Sequence, residues 1–329
     1  MAEAAPHYGT LRFDIPDQSS TSEERGLFAP PGAKEVVYEK LPLHNFHTSP
    51  DVVKGGAGLD VQGFTWIQHR SVLQNSDQWL EGQNIEATYL AECEDLICRA
   101  TGAKRAIANN AFFRRRPQDD MSDPKHVHLR DTPLDKAIGQ LPRDANYVFG
   151  RDAAESSLPP ARMAHSDYSV TGLRSSVRYC RKDICEKASE ALEAEDEKSA
   201  HIPRYAAYSV WRPIKPVKKD PIALCDWRTI DKQNESTTIE YRATSGVTEN
   251  GEYIIQGLIG LPPKHPIKQK WYWVPEQKPD EVAIIKFADT AGDTDQDVAQ
   301  GCLHLSPVVE GTEGEAGRES IDVRVFAFW

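Results

Sequence analysis

The second half of the chain alternates short apolar runs with turn-forming residues. From residue 204 onward, segments rich in aromatic and β-branched residues are separated by Pro, Gly and Asp: RYAAYSVWRPI, PIALCDWRTI, STTIEYRATS, GEYIIQGLIG, QKWYWV, DEVAIIKFAD, GCLHLSP and SIDVRVFAFW. Segments of this length and composition are typical of β-strands. So many consecutive strands predict a mostly antiparallel sandwich or barrel.

Helical spacing is confined to the first two thirds of the chain. Between residues 76 and 103, apolar residues recur at three- and four-residue steps, and Gly102 is placed to end a helix. A second amphipathic pattern runs from Leu173 to Leu192 and ends in a charged turn. Between these two patterns, KRAIANNAFFRRR predicts a strand with a basic end. Residues 117–162 are rich in Pro and Asp and predict a long loop or lid.

These patterns predict one domain of the α+β, mainly β, class over residues 1–329. Residues 1–60, rich in Pro, Gly, Ser and charge, are expected to wrap the surface as an N-terminal arm. Residues 61–162 are expected to supply helical and strand support together with the lid. Residues 163–329 are expected to form the β core, with the helices packed on one face.

Composition and charge exclude several classes of protein. The chain is 39% hydrophobic and 27% charged, as is usual for a soluble domain. Its net charge of -11 argues against nucleic acid or an anionic membrane as a partner. No apolar run approaches the roughly 18 residues of a membrane span, and the polar N-terminus is not a secretory signal. The six cysteines include no CxxC pair, which favours reduced thiols and a cytoplasmic location.

Candidate metal chemistry begins in the stretch ARMAHSDYSV. His165 and Asp167 are two residues apart, and alternate residues of an extended segment point the same way. A non-haem Fe(II) centre needs two histidines and one carboxylate on one face of the metal. His304 in GCLHLSP lies within a late strand-like run, whereas His265 lies between prolines and His201 at a helix-to-strand corner. Taken alone, an H-x-D triplet is more often a surface turn than a pair of ligands, because it occurs by chance in many proteins of this length.

Candidate anion recognition lies at the end of the chain, in GRESIDVRVFAFW. Arg318 and Ser320 would present a guanidinium and a hydroxyl on one strand face, which suits the far carboxylate of a dicarboxylate. A salt bridge from Arg318 to a nearby glutamate is the alternative. Arg324 shares that face by period-two counting and competes for the role. Arg212 in VWRPI is a further candidate, or else it stacks on an aromatic ring and holds a strand end.

The order H-x-D, a distant histidine, then R-x-S is that of the Fe(II)/2-oxoglutarate oxygenases. The blocks YSVWRPIKPVKKDPIALCDWRTID, KQKWYWVPEQKPDEVAIIKFADT and RESIDVRVFAFW resemble the fungal gibberellin desaturase family. This group of hydroxylase/desaturase-like proteins from secondary-metabolite clusters is also similar to a cephamycin methoxylation component. The resemblance covers roughly residues 95–329. The loop LSPVVEGTEGEAG lengthens the spacing between the distant histidine and R-x-S.

The resemblance implies an enzyme that uses Fe(II), 2-oxoglutarate and O2 on a double-stranded β-helix, the cupin-like jelly-roll. His165, Asp167 and His304 would be the metal ligands, and Arg318 and Ser320 would bind 2-oxoglutarate. The expected reaction is hydroxylation, desaturation or oxidative cyclisation of a small molecule in secondary metabolism. Oxidation of an amino acid to a strained ring such as an aziridine is an alternative of the same type.

Two other classes of function compete with this prediction. A non-catalytic jelly-roll binding protein shares the fold, since fold does not fix function, but the complete triad favours catalysis. A zinc hydrolase on the same triad would not need R-x-S. We expect a small-molecule substrate and neither nucleic acid nor membrane as a partner. The sequence leaves the oligomeric state open, with a homodimer as one option.

Polar clusters of the first half have a functional and an ordinary interpretation. Asn109, Asn110 and residues 114–116 are expected near the barrel mouth, where a basic cluster would meet an acidic substrate. A solvated run of charges is the favoured interpretation of the arginines. His126-Val127-His128 has the spacing of a second metal pair, but an ordinary loop is favoured because its surroundings are rich in Asp and Pro.

Overall fold

β-Strands form two sheets in this chain. The computed structural model describes residues 7–117, 128–155 and 157–329, and the strands and helices below are those of these ranges. The first sheet contains β1 (His7–Pro16), β2 (Ala33–Asn45), β6 (His165–Ser166), β8 (Ala223–Cys225), β9 (Ser236–Thr244), β10 (Glu252–Gly260), β11 (Trp271–Trp273), β13 (His304–Leu305) and β14 (Val308–Val309). The second contains β3 (Phe64–Gln68), β4 (Arg105–Arg114), β5 (Val148–Phe149), β7 (Tyr205–Pro213), β12 (Glu281–Asp289) and β15 (Ser320–Phe328).

The strand orders make both sheets mixed. The nine-stranded sheet runs β14-β1-β2-β11-β8-β13-β6-β10-β9, and the six-stranded sheet runs β3-β12-β7-β15-β4-β5. Neighbours are antiparallel except β2 with β11 and β4 with β5, which are parallel. Each of the late segments predicted to be a strand contains one, and so does KRAIANNAFFRRR.

The N-terminal segment differs from the predicted surface arm. β1 and β2 pair antiparallel along their length and belong to the nine-stranded sheet. Gly9, Leu11 and Phe13 are buried at alternate positions of β1, as are Leu41 and Leu43 in β2. This alternation buries one face of the pair, so the segment to residue 45 builds the sheet.

Seven α-helices accompany the strands in the described ranges. They are α1 (Ala57–Val61), α2 (Ser76–Leu80), α3 (Leu90–Thr101), α4 (Pro133–Gly139), α5 (Val170–Tyr179), α6 (Lys182–Lys187) and α7 (Ser189–Asp196). Gly102 ends α3 in the left-handed conformation, at φ +75°, as predicted. The single helix predicted between Leu173 and Leu192 is instead three helices. Arg181 interrupts it with extended backbone and donates its guanidinium to the carbonyl of Ala108.

The helices pack in two separate apolar clusters, whereas the sequence predicted that all of them pack on one face of the β core. α3 packs on the outer side of the six-stranded sheet, where its buried Leu96 and Ile97 belong to one apolar cluster with Val210 of β7 and Val323 of β15. α5, α6 and α7 join a second cluster that includes residues of both sheets. No helix of the described ranges is long and apolar enough to cross a membrane.

Alternation along β7 and β15 explains why polar groups lie between the two sheets. Val210 and Val323 face the helices, so their neighbours Trp211 and Asp322 face the nine-stranded sheet. Trp211 belongs to a cluster that also contains Leu224 of β8 on the opposite sheet. The polar side chains of β15 therefore point into the space between the two sheets.

A partly buried group of charges, formed by Asp60, Arg204, Lys286 and Asp289, connects three segments, and we call it the four-charge cluster. Lys286 and Asp289 of β12 are both 0% exposed, and the Lys286 ammonium donates to Asp289 at 2.6 Å and to Asp60 of α1 at 2.9 Å. The Arg204 guanidinium contacts both carboxylates at 2.5 Å. Two cations thus balance two carboxylates, as burial of charge requires.

Candidate active site

The three predicted metal ligands meet between the sheets. His304 of β13 pairs directly opposite His165 of β6, and their ring centroids are 4.4 Å apart. Asp167 follows β6, and its Oδ1 lies 3.5 Å from His165 Nε2. One candidate ligand atom from each of the three residues lies within 4.8 Å of the others. Two imidazoles and a carboxylate at this spacing fit a facial Fe(II) site.

Backbone carbonyls orient both imidazoles. Nδ1 of His165 donates to the Met163 carbonyl at 2.7 Å, and Nδ1 of His304 donates to the Cys302 carbonyl at 3.1 Å. A carbonyl only accepts, so Nδ1 carries the proton and Nε2 of the neutral ring offers its lone pair. The ring of Phe287 stacks on His304 with a centroid separation of 5.5 Å, which fixes the ring plane.

The protonation states suit metal binding. Burial raises the pKa of Asp167, but the Arg324 guanidinium and His165 outweigh it and hold that pKa well below the usual range. Burial, together with the neighbouring His165, lowers the pKa of His304 to about 3. The carboxylate is therefore ionised and His304 is neutral at pH 7, which is the state in which both bind a metal.

The pKa of His304 predicts how the metal-free protein responds to acid. His304 stays neutral in the fold, whereas in the unfolded chain it is protonated below its ordinary pKa of 6.5. The unfolded state thus binds more protons between pH 6.5 and about 3, so stability falls as the pH is lowered through this window. Each pH unit removes up to about 1.4 kcal/mol. Urea unfolding at several pH values should show this fall.

Two variants separate the contribution of His304 from general acid denaturation. His304→Leu should flatten the dependence of the unfolding free energy on pH, because it removes the proton uptake. His265→Leu, at an exposed histidine without a side-chain partner among the described residues, should leave the dependence as in the parent protein. Parallel curves for His304→Leu and the parent would contradict the prediction.

A cavity with an empty volume of about 380 Å³ joins the triad to Arg318. Residues of both sheets and of the connecting loops form its walls. The lining residues are Arg114, Ala161, His165, Asp167, Ser209, Trp211, Ile222, Ile285, Phe287, His304, Leu305, Ser306, Arg318 and Asp322. We call this space the metal cavity.

Arg318 lies in the metal cavity as a buried cation that lacks a full set of partners. Its Nη1 donates to the Asp220 carbonyl at 2.8 Å and to Ser306 Oγ at 3.2 Å. Its Nε and the Oγ of Ser320 are buried without a hydrogen-bond partner among the described residues. Burial and the charge of Arg114 lower the pKa of Arg318 to about 9. A carboxylate placed here would supply the missing acceptors and charge.

The long loop before Arg318 does not separate it from the triad. Ser306 lies two residues after His304 and accepts from Arg318, so the two ends of the loop meet. Within the loop, β14 pairs with β1 at the edge of the nine-stranded sheet. The extra residues between His304 and Arg318 therefore form a loop whose two ends lie close together, so the longer spacing does not move Arg318 away from the triad.

Two further arginines near Arg318 were not predicted as site residues. Arg114 was assigned to a solvated charge run, but it lines the metal cavity and donates to Asp322 at 3.0 Å. Arg162 donates to Asp220 at 2.5 Å and lowers the pKa of Arg318 through its charge, although burial contributes more. The position of Arg162, three residues before His165, was the available signal.

Arg324 contacts the carboxylate of Asp167, a candidate metal ligand, which corrects its candidacy as the anchor of 2-oxoglutarate. Its Nε and Nη2 lie 2.9 and 2.8 Å from the same oxygen, Oδ2 of Asp167. The other oxygen, Oδ1, is the one near His165. Arg324 therefore orients Asp167, as partners of metal-binding carboxylates commonly do.

Arg212 lies on the opposite side of the six-stranded sheet, which corrects its assignment to the cosubstrate site. Trp211 lines the metal cavity, so its neighbour in β7 points towards the helices. There the guanidinium donates to Tyr89 Oη at 3.0 Å and to the Pro279 carbonyl at 2.6 Å. It also contacts Nδ1 of His69 at 2.5 Å. Arg212 thus holds a strand against the helical layer, the second of its two predicted roles.

Part of the predicted lid falls outside the described residues. His126 and Val127 of the H-V-H stretch lie outside the described residues. His128 is described, and its Nε2 lies 4.0 Å from Oδ1 of Asp135. Within the described part of the lid, α4 and β5 are regular elements, and Tyr147 is buried beside β4.

Fungal oxygenases are prominent among the proteins that resemble this chain. The gibberellin cluster GA4 desaturase of Gibberella fujikuroi is 29% identical, with 82% of each chain covered. The alpha-ketoglutarate-dependent dioxygenase tstK of Talaromyces stipitatus is 23% identical over 97% of this chain and 96% of its own. These relatives confirm the predicted resemblance to fungal hydroxylases, desaturases and dioxygenases.

A solved structure and a family profile extend the comparison to the whole chain. A structure of the iron and alpha-ketoglutarate-dependent endoperoxidase NvfI matches with a TM-score of 0.65 and 21% identity, covering 99% of each chain, so the fold is shared. The profile described as "Oxidoreductase/YMDC permease-like domain" matches residues 39–328. Since the match covers most of the 329 residues of this chain, the chain belongs to the oxidoreductase/YMDC permease-like family.

Proposed function

We propose that this chain is an Fe(II)- and 2-oxoglutarate-dependent oxygenase that oxidises a C–H bond of a small molecule in secondary metabolism. The outcome is hydroxylation, desaturation or oxidative cyclisation. One observation carries the proposal: a complete His-Asp-His set shares a cavity with Arg318, a buried arginine whose Nε has no acceptor among the described residues. The names of the fungal relatives support it.

Different residues of the metal cavity would bind the metal, orient its carboxylate ligand and bind the cosubstrate. With Fe(II), 2-oxoglutarate and O2 bound, the site supplies the power to oxidise an unactivated C–H bond. His165 and His304 would hold the metal through Nε2, and Arg324 keeps Asp167 ionised and turned towards it. Arg318 would receive the far carboxylate of 2-oxoglutarate through a charge-assisted hydrogen bond.

The environment of the site supports two further parts of the proposal. Ser320 Oγ, buried and unpartnered, would be the second donor to the carboxylate at Arg318. The rings of Trp211 and Phe287 line the cavity and limit the access of water. Ser320 acts here by donating a hydrogen bond and the two rings act by excluding water, so none of these residues transfers a proton.

The finer description of the fold belongs to the same proposal. We assign the two facing sheets to a double-stranded β-helix, because the metal cavity lies between them and NvfI shares the fold. We also propose a cytoplasmic location, since all six cysteines are free, as expected in a reducing compartment.

The first test is the binding of metal and cosubstrate without oxygen. Fe(II) and then 2-oxoglutarate are added to the metal-stripped protein while its visible absorption is recorded. We expect a weak charge-transfer band when the two chelate, and we expect His165→Ala and His304→Ala to abolish it, because each removes one ligand.

A surface histidine provides the matched control. His265→Ala, at an exposed position, should retain the band at parent intensity. Absence of the band in folded parent protein, or its persistence in His165→Ala, would rule out the proposed centre and favour a non-catalytic binding protein.

A further inference from the structure

We propose that a second cavity, beside the Asp167–Arg324 pair, is the substrate site, and that it takes a small organic carboxylate without an ammonium group, carried on an apolar body. Its role as substrate site rests on the proposed function, whereas its preference for such a ligand is testable without catalysis. We call it the amide cavity, after the two asparagines that mark it.

The amide cavity lies directly behind the metal-binding carboxylate. It is open to solvent, with about 460 Å³ of empty space including the open part, and it is bordered by Arg324, whereas the metal cavity is bordered by Asp167. The ion pair of these two residues therefore forms part of the wall between the cavities. A second link is Tyr241, which lines the amide cavity and donates its hydroxyl to the Asp167 carbonyl at 3.1 Å. A ligand here lies next to the metal site.

A register shift brings two adjacent asparagines to this cavity. In the pairing of β15 with β4, Arg324 lies opposite Asn110, but Val325 lies opposite Ala108. Asn109 is thus the extra residue of a β-bulge, which re-aims side chains locally. Adjacent strand residues normally face opposite sides, yet Asn109 and Asn110 both line the amide cavity.

The hydrogen bonds of these asparagines fix which way their amides point. Asn110 Oδ1 accepts from the backbone N–H of Tyr147 at 3.3 Å, and Asn109 Oδ1 accepts from the Arg181 guanidinium at 3.5 Å. A backbone N–H and a guanidinium only donate, so each amide oxygen is committed to them. Neither Nδ2 donates a hydrogen bond to the protein among the described residues, and both atoms keep some exposure at the cavity surface. The cavity therefore offers two amide donors to an acceptor.

The charges around the amide cavity favour an anion and offer nothing to an ammonium group. Its lining contains three arginines and no aspartate or glutamate, although the whole chain carries a net charge of -11. Arg324 is paired with Asp167 and Arg181 with Asp183, both outside the lining. Arg143 is exposed at the edge of the cavity, where its guanidinium lies against Gly251 and donates to the Gly139 carbonyl. An α-amino acid would leave its ammonium unpaired, which is costly in a buried site.

Aromatic rings supply the apolar part of the site. The hydroxyl of Tyr241 is engaged with Asp167, and that of Tyr253 bonds to Ser176 at 3.2 Å. With their hydroxyls occupied, these residues present ring surfaces to a ligand. The remaining apolar or aromatic lining residues are Phe28, Pro142, Ala145, Tyr147, Tyr168, Ala243 and Ile255.

Three probes with one carbon skeleton test the preference. Hydrocinnamate carries a carboxylate alone, its amide is neutral, and L-phenylalanine adds an ammonium. Dissociation constants are measured by ligand-observed NMR on the metal-free full chain. We expect hydrocinnamate to bind at least about tenfold more tightly than either other probe, since about 1.4 kcal/mol of charge recognition gives that factor. Equal affinities, or no saturable binding of hydrocinnamate, would overturn the proposal.

Isosteric variants locate the bound carboxylate. Asn110→Asp and Asn109→Asp retain the oxygen that accepts from Tyr147 or Arg181, but they lose the free donor and add a negative charge. Each should weaken hydrocinnamate binding about tenfold or more while the fold persists. Asn250→Asp, at an exposed loop asparagine whose Oδ1 also accepts a backbone N–H, should bind as the parent does.

The metal cavity is the competing location for the probe. If Arg318→Met abolished hydrocinnamate binding and Asn110→Asp did not, the carboxylate would lie at Arg318 and the proposal would be wrong. This outcome is separable from failure of the proposed function, because the charge-transfer experiment contains no probe. A protein that binds hydrocinnamate at Asn110 but shows no charge-transfer band would retain the carboxylate site and lose the oxygenase assignment.

Discussion

Replacement of Arg318 with methionine is expected to weaken 2-oxoglutarate binding by about 2–4 kcal/mol, or roughly 30- to 1,000-fold, while Fe(II) binding changes little. The reason is that Arg318 is 6% exposed and its Nε has no acceptor among the described residues, so a bound carboxylate would supply one. The three candidate metal ligands remain in place. Titration of 2-oxoglutarate at fixed Fe(II), followed by the charge-transfer band, measures the loss.

Arg212→Met is the matched control, because Arg212 is the other deeply buried arginine that the sequence offered for this role. Its guanidinium already has protein partners on the helical side of the sheet. Its removal should therefore lower the free energy of unfolding by a few kcal/mol, while the folded protein binds 2-oxoglutarate normally. The reverse pattern would place the cosubstrate at Arg212.

Disruption of the four-charge cluster is expected to cause the largest loss of stability. Two carboxylates, Asp60 and Asp289, contact both Lys286 and Arg204, and Asp289→Leu removes the one that is fully buried. Breaking a buried ion pair on one side costs about 3–5 kcal/mol, because the remaining charge stays desolvated. Urea unfolding of the purified protein measures this change.

A double-mutant cycle tests whether the cost comes from the unpaired charge. The variant Lys286→Met/Asp289→Leu should recover part of the stability, because Asp60 and Arg204 can still neutralise each other. Lys40→Met, which breaks the exposed pair with Glu310, should change stability by less than about 1 kcal/mol. Simple additivity of Lys286→Met and Asp289→Leu would contradict the proposed coupling.

Local sequence pattern was sufficient for most of the strands but failed where tertiary contacts decide the structure. The late strands carry their own signal, because short aromatic and β-branched runs lie between turn residues. β1 has the same alternation at Leu11 and Phe13, but the surrounding Pro, Gly and charge concealed it. The break between α5 and α6 has no local signal, since it depends on the bond from Arg181 to the distant Ala108 carbonyl.

The candidate site shows the same division. The spacing of His165 and Asp167, and the strand-like surroundings of His304, were enough to predict that these residues meet. Knowing which face of β7 points inward excludes Arg212, but Arg318 and Arg324 share the inner face, and only the contact of Arg324 with Asp167 separates them. Alternation gives the two faces of a strand but does not say which of them is buried against the metal site.

The extra residue in β4 lets the two faces of the strand change independently: one face packs against the helices and the other lines the amide cavity. On the helical side, Ala106, Ala108 and Ala111 keep their places in the apolar cluster. On the other side, the insertion adds Asn109 to the wall of the amide cavity. Exchange of Asn109 or Asn110 therefore alters ligand chemistry without repacking the helices. A lineage of enzymes built on this strand can diversify its ligands by single substitutions, each of which leaves the scaffold intact.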